Sequence, residues 1–590
     1  MDTSGNVQDP SCRPRGSSAA CISPLLALAL GLCGAMGLPE AATEPPWVAI
    51  DDGNAALACS VAGGAGGTVQ GAVLAIPAAQ LPPGGSDADA AVFRVAYDLA
   101  AGSGTLTRAS LARNGDGTSR LTAPLWDAAA VLAAMPPAAR RLFTMDDAGL
   151  TTPFEWPRLS PAQQAALDRP PGGTAGDGRG ADRVAWLRGD RTLEGSFFRR
   201  RAGLLGDAVH GMPLYLGGGL NLHGDAAHAA FQARTLQRTP AIYLGANDGM
   251  LHAFDAGTGT ELFAYLPAML LPALSELPAP GYTHRPYVDG PLASGEALIG
   301  GAWRSVLVGT PGAGAQGLFA LDVTDPAAFD AGLGALWEFT ARDDAALGNV
   351  MQPAQVARLK VRNRAGVPEY RHFAIAGNGL NGHAANRGQG GQGGGALFLL
   401  ALDKPPAERW RLDTNYYRLD TPPGDPALPS GLGGAALVND DDKVLRHVYA
   451  GDLQGRLWRF DFSRNAPWRS NPAWRPVFVA RDAAGRPQPI TQPPKVVHAE
   501  GGGYLVLFGT GSLYGRTERE AANFTPQSFY AIHDHPGPEL PATPLERADL
   551  LQRHVEGAAE DAGFTVSGRL ASFGAAGRPK GWYLDFAHGP

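Results

Sequence analysis

The chain has 590 residues, of which 79 are Gly and 49 are Pro, about 22% together against a background of about 12%. That load excludes a mainly helical or coiled-coil protein, because both residues break helices, while 44% hydrophobic residues exclude disorder and allow a large core. A net charge of -7 leaves no basic face for nucleic acid, and no Lys/Arg run suits an anionic membrane surface.

In chain order, Arg13 and Arg15 precede an apolar stretch from Ala19 to Met36, and Ala35-Met36-Gly37 has the small-x-small form of a cleavage site. Residues 1–37 therefore read as a secretory signal peptide, whose removal leaves no integral membrane segment. Only Cys59 then remains of four cysteines. An exported chain with one thiol has no disulfide framework, and no zinc site built on four cysteines or on two cysteines and two histidines. Residues 38–181 form a short mixed region, with a strand at VFRVAYDL (Val92 to Leu99) and a helix at WDAAAVLAAM (Trp126 to Met135). The Pro/Gly/Asp-rich stretch from Asp168 to Asp182 reads as a linker, which places a domain boundary there and a second domain over 182–590.

Beyond that boundary the chain repeats itself. The unit is an apolar strand ending in Gly, a polar turn, and a second apolar strand closing on Asp. Copies run from Ile242 to Asp255, Val306 to Asp322, Ile375 to Asp403, Val448 to Asp461 and Leu507 to Asp534. Each is a β-hairpin with room for two further strands, and Arg183 to Gly217 suggests one more blade. Sheets apolar on both faces bury them only against neighbouring sheets around an axis, so the fold class is all-β, a β-propeller of six or seven blades. The strand-end glycines are expected to supply the positive φ of tight hairpins.

Motifs with possible chemistry are few. GxGxxG occurs at Gly312-Gly314-Gly317 and Gly377-Gly379-Gly382, but the first runs straight into the strand LFALD, as a hairpin does and a dinucleotide site does not. RGD at Arg188-Gly189-Asp190 adjoins an expected strand. His252 and His284 lie near Asp255 and Asp289, and no nucleophile elbow, HExxH or P-loop is present. Asn439-Asp440-Asp441-Asp442 reads as a solvated acidic turn, or as a calcium loop with Asp440 and Asp442 pointing to one metal. Two carboxylates fall short of the six to eight oxygens calcium takes.

Arg183 to Gly217, Ile242 to Leu270, Tyr287 to Pro326 and YAGDLQGRLWRFD (Tyr449 to Asp461) together resemble the C-terminal domain of PilY-type pilus assembly proteins. QPITQPPKVV, LFGTGSLYG, QSFYAIHD and GWYLDF (Gly581 to Phe586) continue the likeness in order, with GTLTR and LWDAAAVLAAMPPAARRLFT fitting upstream. The resemblance implies a quinoprotein-like propeller at the periplasm, pilus tip or outer cell surface. It further implies a non-enzymatic role in type IV pilus biogenesis and surface adhesion, with calcium-modulated control of extension and retraction. Major and minor pilins and a host or surface ligand are the implied partners.

Three departures accompany it. No von Willebrand A-type domain fits before Asp182. The family's calcium loop resembles D-x-D-x-D-x-x-x-D, and its four acidic positions fall here on Val438, Asp440, Asp442 and Arg446. The chain stops four residues after GWYLDF, where the family continues, so the propeller is expected either to be truncated or to close with its own N-terminal segment. A generic propeller scaffold for outer-membrane assembly is the alternative function. A quinone-dependent dehydrogenase is a further one, suggested by FDAGTGTELFAY (Phe254 to Tyr265), although one mature Cys excludes that class's cysteine pair and no pyrroloquinoline quinone is expected.

Overall fold

The computed structural model describes residues 68–81, 90–218, 226–330, 334–382, 394–468, 474–515, 518, 520–536, 543–556, 565–567 and 579–586. The expected signal peptide and Cys59 lie outside them. Six sheets of four or more strands follow one another along the described residues. Each of the five repeat copies is the central antiparallel hairpin of one sheet, the second to the sixth: Ala241–Gly245 with Leu251–Asp255, Ala302–Gly309 with Gly317–Asp322, Val367–Gly377 with Ala396–Ala401, Leu445–Asp452 with Arg456–Asp461, and Tyr504–Gly509 with Ser528–Asp534.

Period-two alternation stacks the sheets in chain order. Successive side chains of a strand point to opposite faces, so Ile242 and Leu244 pack with Phe93 and Leu106 of the first sheet while Tyr243 packs with Leu307 and Phe319 of the third. Val306 and Val308 turn the other way, to Ala374 and Phe398 of the fourth. Phe373 and Leu397 meet Val448 and Trp458 of the fifth, and Tyr449 and Leu457 meet Val506 and Tyr530 of the sixth. Sheets covered on both faces read as continuous apolar runs, which is what made the repeat visible. Among the described residues no apolar cluster joins the sixth sheet back to the first.

The glycines divide their work differently from the sequence expectation. The strand-end residues Gly245, Gly309, Gly377, Gly451 and Gly509 do not have positive φ; that conformation belongs to Gly249, Gly312, Gly379, Gly455 and Gly511 within the turns. At three of the five, strand-end glycine is needed for close approach to the next segment instead. A Cβ at Gly245 would lie 2.4 Å from the Val288 carbonyl oxygen, at Gly377 2.4 Å from that of Leu432, and at Gly451 2.7 Å from that of Ile490. Each of those carbonyls belongs to the segment entering the next sheet. The turns also bond to those entering segments: the Tyr287 N–H donates to Asn247 Oδ1 (2.9 Å), Leu432 N–H to Asn378 Oδ1 (2.8 Å) and Ile490 N–H to the Asp452 carbonyl (3.0 Å).

Two expectations about the upstream region are corrected. Arg183 to Asp190 is not blade strand: Gly180–Arg188 is a helix, with Asp182 in its first turn and a left-handed Gly189 closing it. Only Leu214–Leu216 of the stretch from Arg183 to Gly217 adds a strand, to the second sheet. Nor does Asp168 to Asp182 separate two compact units. Thr43–Pro590 is one unit, and the strand Leu142–Met145 pairs in parallel with Glu261–Tyr265, placing Leu142 opposite Ala264. The Gly/Pro loop between is itself tied down, by Arg183 to Asp177 and by the Gly180 N–H to Asp168. The strand near Val92 and the helix near Trp126 are present, as Ala90–Asp98 and Ala128–Ala134, the latter capped by Asp127.

Candidate functional site

The acidic turn joins the strands Leu432–Asn439 and Leu445–Asp452 of the fifth sheet. It closes in five residues. Asp440 N–H donates to the Val444 carbonyl (2.9 Å) and Lys443 N–H to the Asp440 carbonyl (3.0 Å), with Lys443 left-handed at φ 59°. One carboxylate oxygen of Asp440 accepts from Val444 N–H (2.9 Å), and the other pairs with the Arg446 guanidinium (2.8 Å). Asp441 and Asp442 are exposed on the turn. Val438, at the first expected ligand position, is buried in the core between the fifth and sixth sheets. Among the described residues no group of three or more His, Cys, Asp or Glu is placed to hold a metal ion. The four positions therefore do not fit calcium: one offers no side-chain oxygen, one is spent on a backbone N–H and a guanidinium, one faces solvent and one is a cation.

A denser constellation surrounds the Asn247-Asp248-Gly249 turn. His252 and Glu261 lie on adjacent paired strands of the second sheet. His252 Nδ1 contacts Glu261 Oε1 at 2.8 Å and its Nε2 contacts Asp248 Oδ2 at 3.0 Å. Arg140, just before the strand Leu142–Met145, adds two bonds to Glu261 at 2.7 and 2.9 Å. Arg140, Glu261 and His252 are buried, in a chain of alternating charge ending on Asp248. Burial alone would push the His252 imidazole down, but the Asp248 carboxylate and the bonds to Asp248 and Glu261 outweigh it and raise its pKa to about 9. Burial likewise opposes ionisation of Glu261, and the Arg140 guanidinium overrides it, lowering the carboxyl to about 2. Neither group changes charge near neutral pH, so the chain holds charge in place and is unsuited to general acid or base work there. Alongside it, Asp207 accepts from Asn247 (2.8 Å) and contacts His284 (2.8 Å), and Asp289 contacts His210 (3.0 Å).

The other motifs resolve into structure. Arg188 of the RGD tripeptide donates to the carbonyls of Phe154 and Arg140, Gly189 is buried, and Asp190 bonds the Thr192 N–H, so the tripeptide is not displayed for recognition. Gly317 begins a strand rather than a helix, as expected. His284 and His252 have carboxylate partners, but these are Asp207, Asp248 and Glu261 rather than the sequence neighbours Asp289 and Asp255. Sequence reasoning missed Arg140, Asp207 and Glu261. The one local signal was Glu261 itself, a charged residue heading the apolar strand ELFAY.

The PilY1 beta-propeller domain family model matches residues 205–565. The type IV pilus biogenesis factor PilY1 of Pseudomonas aeruginosa (strain PAK) is 34% identical over 535 residues, covering 82% of this chain and 43% of the relative. A type IV pilus biogenesis factor PilY1 homolog of Xylella fastidiosa (strain Temecula1) is 34% identical over 430 residues, covering 70% of this chain and 31% of the relative. The crystal structure of the Pseudomonas aeruginosa PilY1 C-terminal domain aligns with a TM-score of 0.50 at 28% identity, over 63% of this chain and 77% of that one. The chain spans less than half the length of these curated relatives.

Proposed function

This chain belongs to the PilY1 β-propeller family, and on that premise we propose that it acts in type IV pilus biogenesis as a non-enzymatic factor. The observation that carries the reading is the 34% identity over 535 residues to a protein named for that role. The polar chemistry supports the non-enzymatic part, since the buried Arg140–Glu261–His252–Asp248 chain keeps its charge near neutral pH and is spent on packing. We place the protein at the periplasm, pilus tip or outer cell surface. Among the described residues no helix is long and apolar enough to cross a membrane.

Major and minor pilins are the proposed partners, and adhesion to a host or inert surface is the proposed second role. RGD is not the adhesive element, for the reasons given by its geometry. Control of extension and retraction is proposed here without calcium, because Asp440 and Asp442 do not form a fitting ligand set. Deletion of the gene, followed by counts of surface pili and twitching assays, is expected to reduce both. Normal piliation and motility in a strain with no second copy of the family would refute the role.

A further inference from the structure

We infer that Arg446 stands in this hairpin where a divalent cation is expected from the resemblance, so that the fifth sheet's acidic turn keeps its shape without calcium. The inference rests on the turn's geometry and not on the pilus reading.

The turn has no slack for an ion. Its backbone bonds between Asp440, Lys443 and Val444 close it tightly, and Val444 is buried. Val444 also forms a bridge with Arg358 of the fourth sheet, so the turn clamps two sheets together. The positive charge that neutralises Asp440 is covalently part of the next strand, 2.8 Å from the carboxylate. A calcium ion at Asp440 would have to displace that guanidinium and then sit beside it, with Lys443 next along the chain. Like charges at such distances repel, and the only other carboxylates of the turn, Asp441 and Asp442, are exposed to water. Val438 cannot be recruited, because its side chain fills the junction with the sixth sheet.

Thermal unfolding of the full chain in 1 mM calcium chloride and in chelator tests this, paired with equilibrium dialysis against radioactive calcium. The expected result is a difference in Tm under about 1 °C and no stoichiometric uptake. Arg446→Asp, which puts carboxylates at three of the four positions, is expected to gain a calcium-dependent rise of several degrees, while Arg446→Lys stays indifferent. A rise of several degrees, or one bound ion per chain, in the unsubstituted protein would overturn the inference. So would Arg446→Asp folding normally yet remaining indifferent to calcium, since Arg446 would then not occupy the ion's place. If Arg446→Asp fails to fold, dialysis of the unsubstituted chain still decides.

Discussion

The junction between the second and third sheets and the outward face of the sixth are built on the same repeat, yet they end in opposite surroundings. At the junction, Gly245 has the Val288 carbonyl against it, Asn247 accepts the Tyr287 N–H, and the Arg140–Glu261–His252–Asp248 chain lies beneath the turn. At the sixth sheet, a Cβ on Gly509 would meet nothing within 4 Å among the described residues. Thr510 hydrogen-bonds back to Ser528 of its own sheet (3.1 Å). Val497 is 49% exposed on that face, with Leu505 and Leu507 half-buried beside it. The difference teaches that at Gly245, as at Gly377 and Gly451, the repeat's glycine answers to the segment entering the next sheet, whereas Gly309 answers to Phe319 of its own hairpin and Gly509 to neither.

The largest effect that tests this contrast is expected at the buried charges. Arg140→Met leaves Glu261 ionised in the core with one cation fewer, and is expected to cost about 3–5 kcal/mol in equilibrium urea unfolding. Arg547→Met, which breaks the more exposed pair with Asp585 on the sixth sheet and the guanidinium's stacking on Tyr583, is expected to cost less, about 1–2 kcal/mol. Equal losses would break the comparison.

The same chain makes a pH prediction of the next size. Glu261 is lowered in the fold, so its contribution is complete above its unfolded value of about 4.3 and is lost as the pH falls toward about 2. His252 is raised, so its contribution is complete below about 6.5 and is lost as the pH rises through about 9. Each is on the order of 3 kcal/mol. The stability gap between the native chain and His252→Gln should therefore be widest between these limits and shrink toward pH 9. A gap that stays flat from pH 6 to 10 would sink the assignment.

The smallest effects sharpen the comparison most. Gly245→Val is expected to cost about 1–3 kcal/mol, because a backbone carbonyl cannot step aside cheaply. Gly509→Val is expected to fall within about 0.5 kcal/mol of the native chain. Matching losses at the two positions would mean that the hairpin itself requires glycine.

The five central hairpins were legible in the sequence because each is local: two apolar strands and a turn within one short segment, repeated. The propeller class followed from that repetition. The charged chain was not legible, because it is assembled across the fold. Arg140 meets Glu261, and Asp207 meets His284, only after separate stretches are brought together. Gly180–Arg188 misled for a different reason: its run Val184-Ala185-Trp186-Leu187 has no polar face to betray a helix, and Val184, Trp186 and Leu187 are all buried. The acidic turn was half legible. Composition marked its carboxylates and the register marked Arg446 as misplaced, but that Arg446 closes on Asp440 is a matter of strand pairing and side-chain reach.

The parallel strand Leu142–Met145 gives the second sheet an order of assembly. It is made more than a hundred residues before Glu261–Tyr265, so its hydrogen bonds to that strand wait on the first repeat copy, while those to Thr151–Pro153 are local. Arg140, two residues upstream, waits on Glu261 in the same way. Such long-range pairing is slow, because loop closure precedes any gain from the contact. Its reward is a partly guarded edge: with Leu142–Met145 and Thr151–Pro153 in place, the Ala264 and Tyr265 end of the strand Glu261–Tyr265 is paired on that side. The upstream region thus extends the second sheet beyond Glu261–Tyr265, so that this strand of the first repeat's sheet lies inside the sheet and not at its edge.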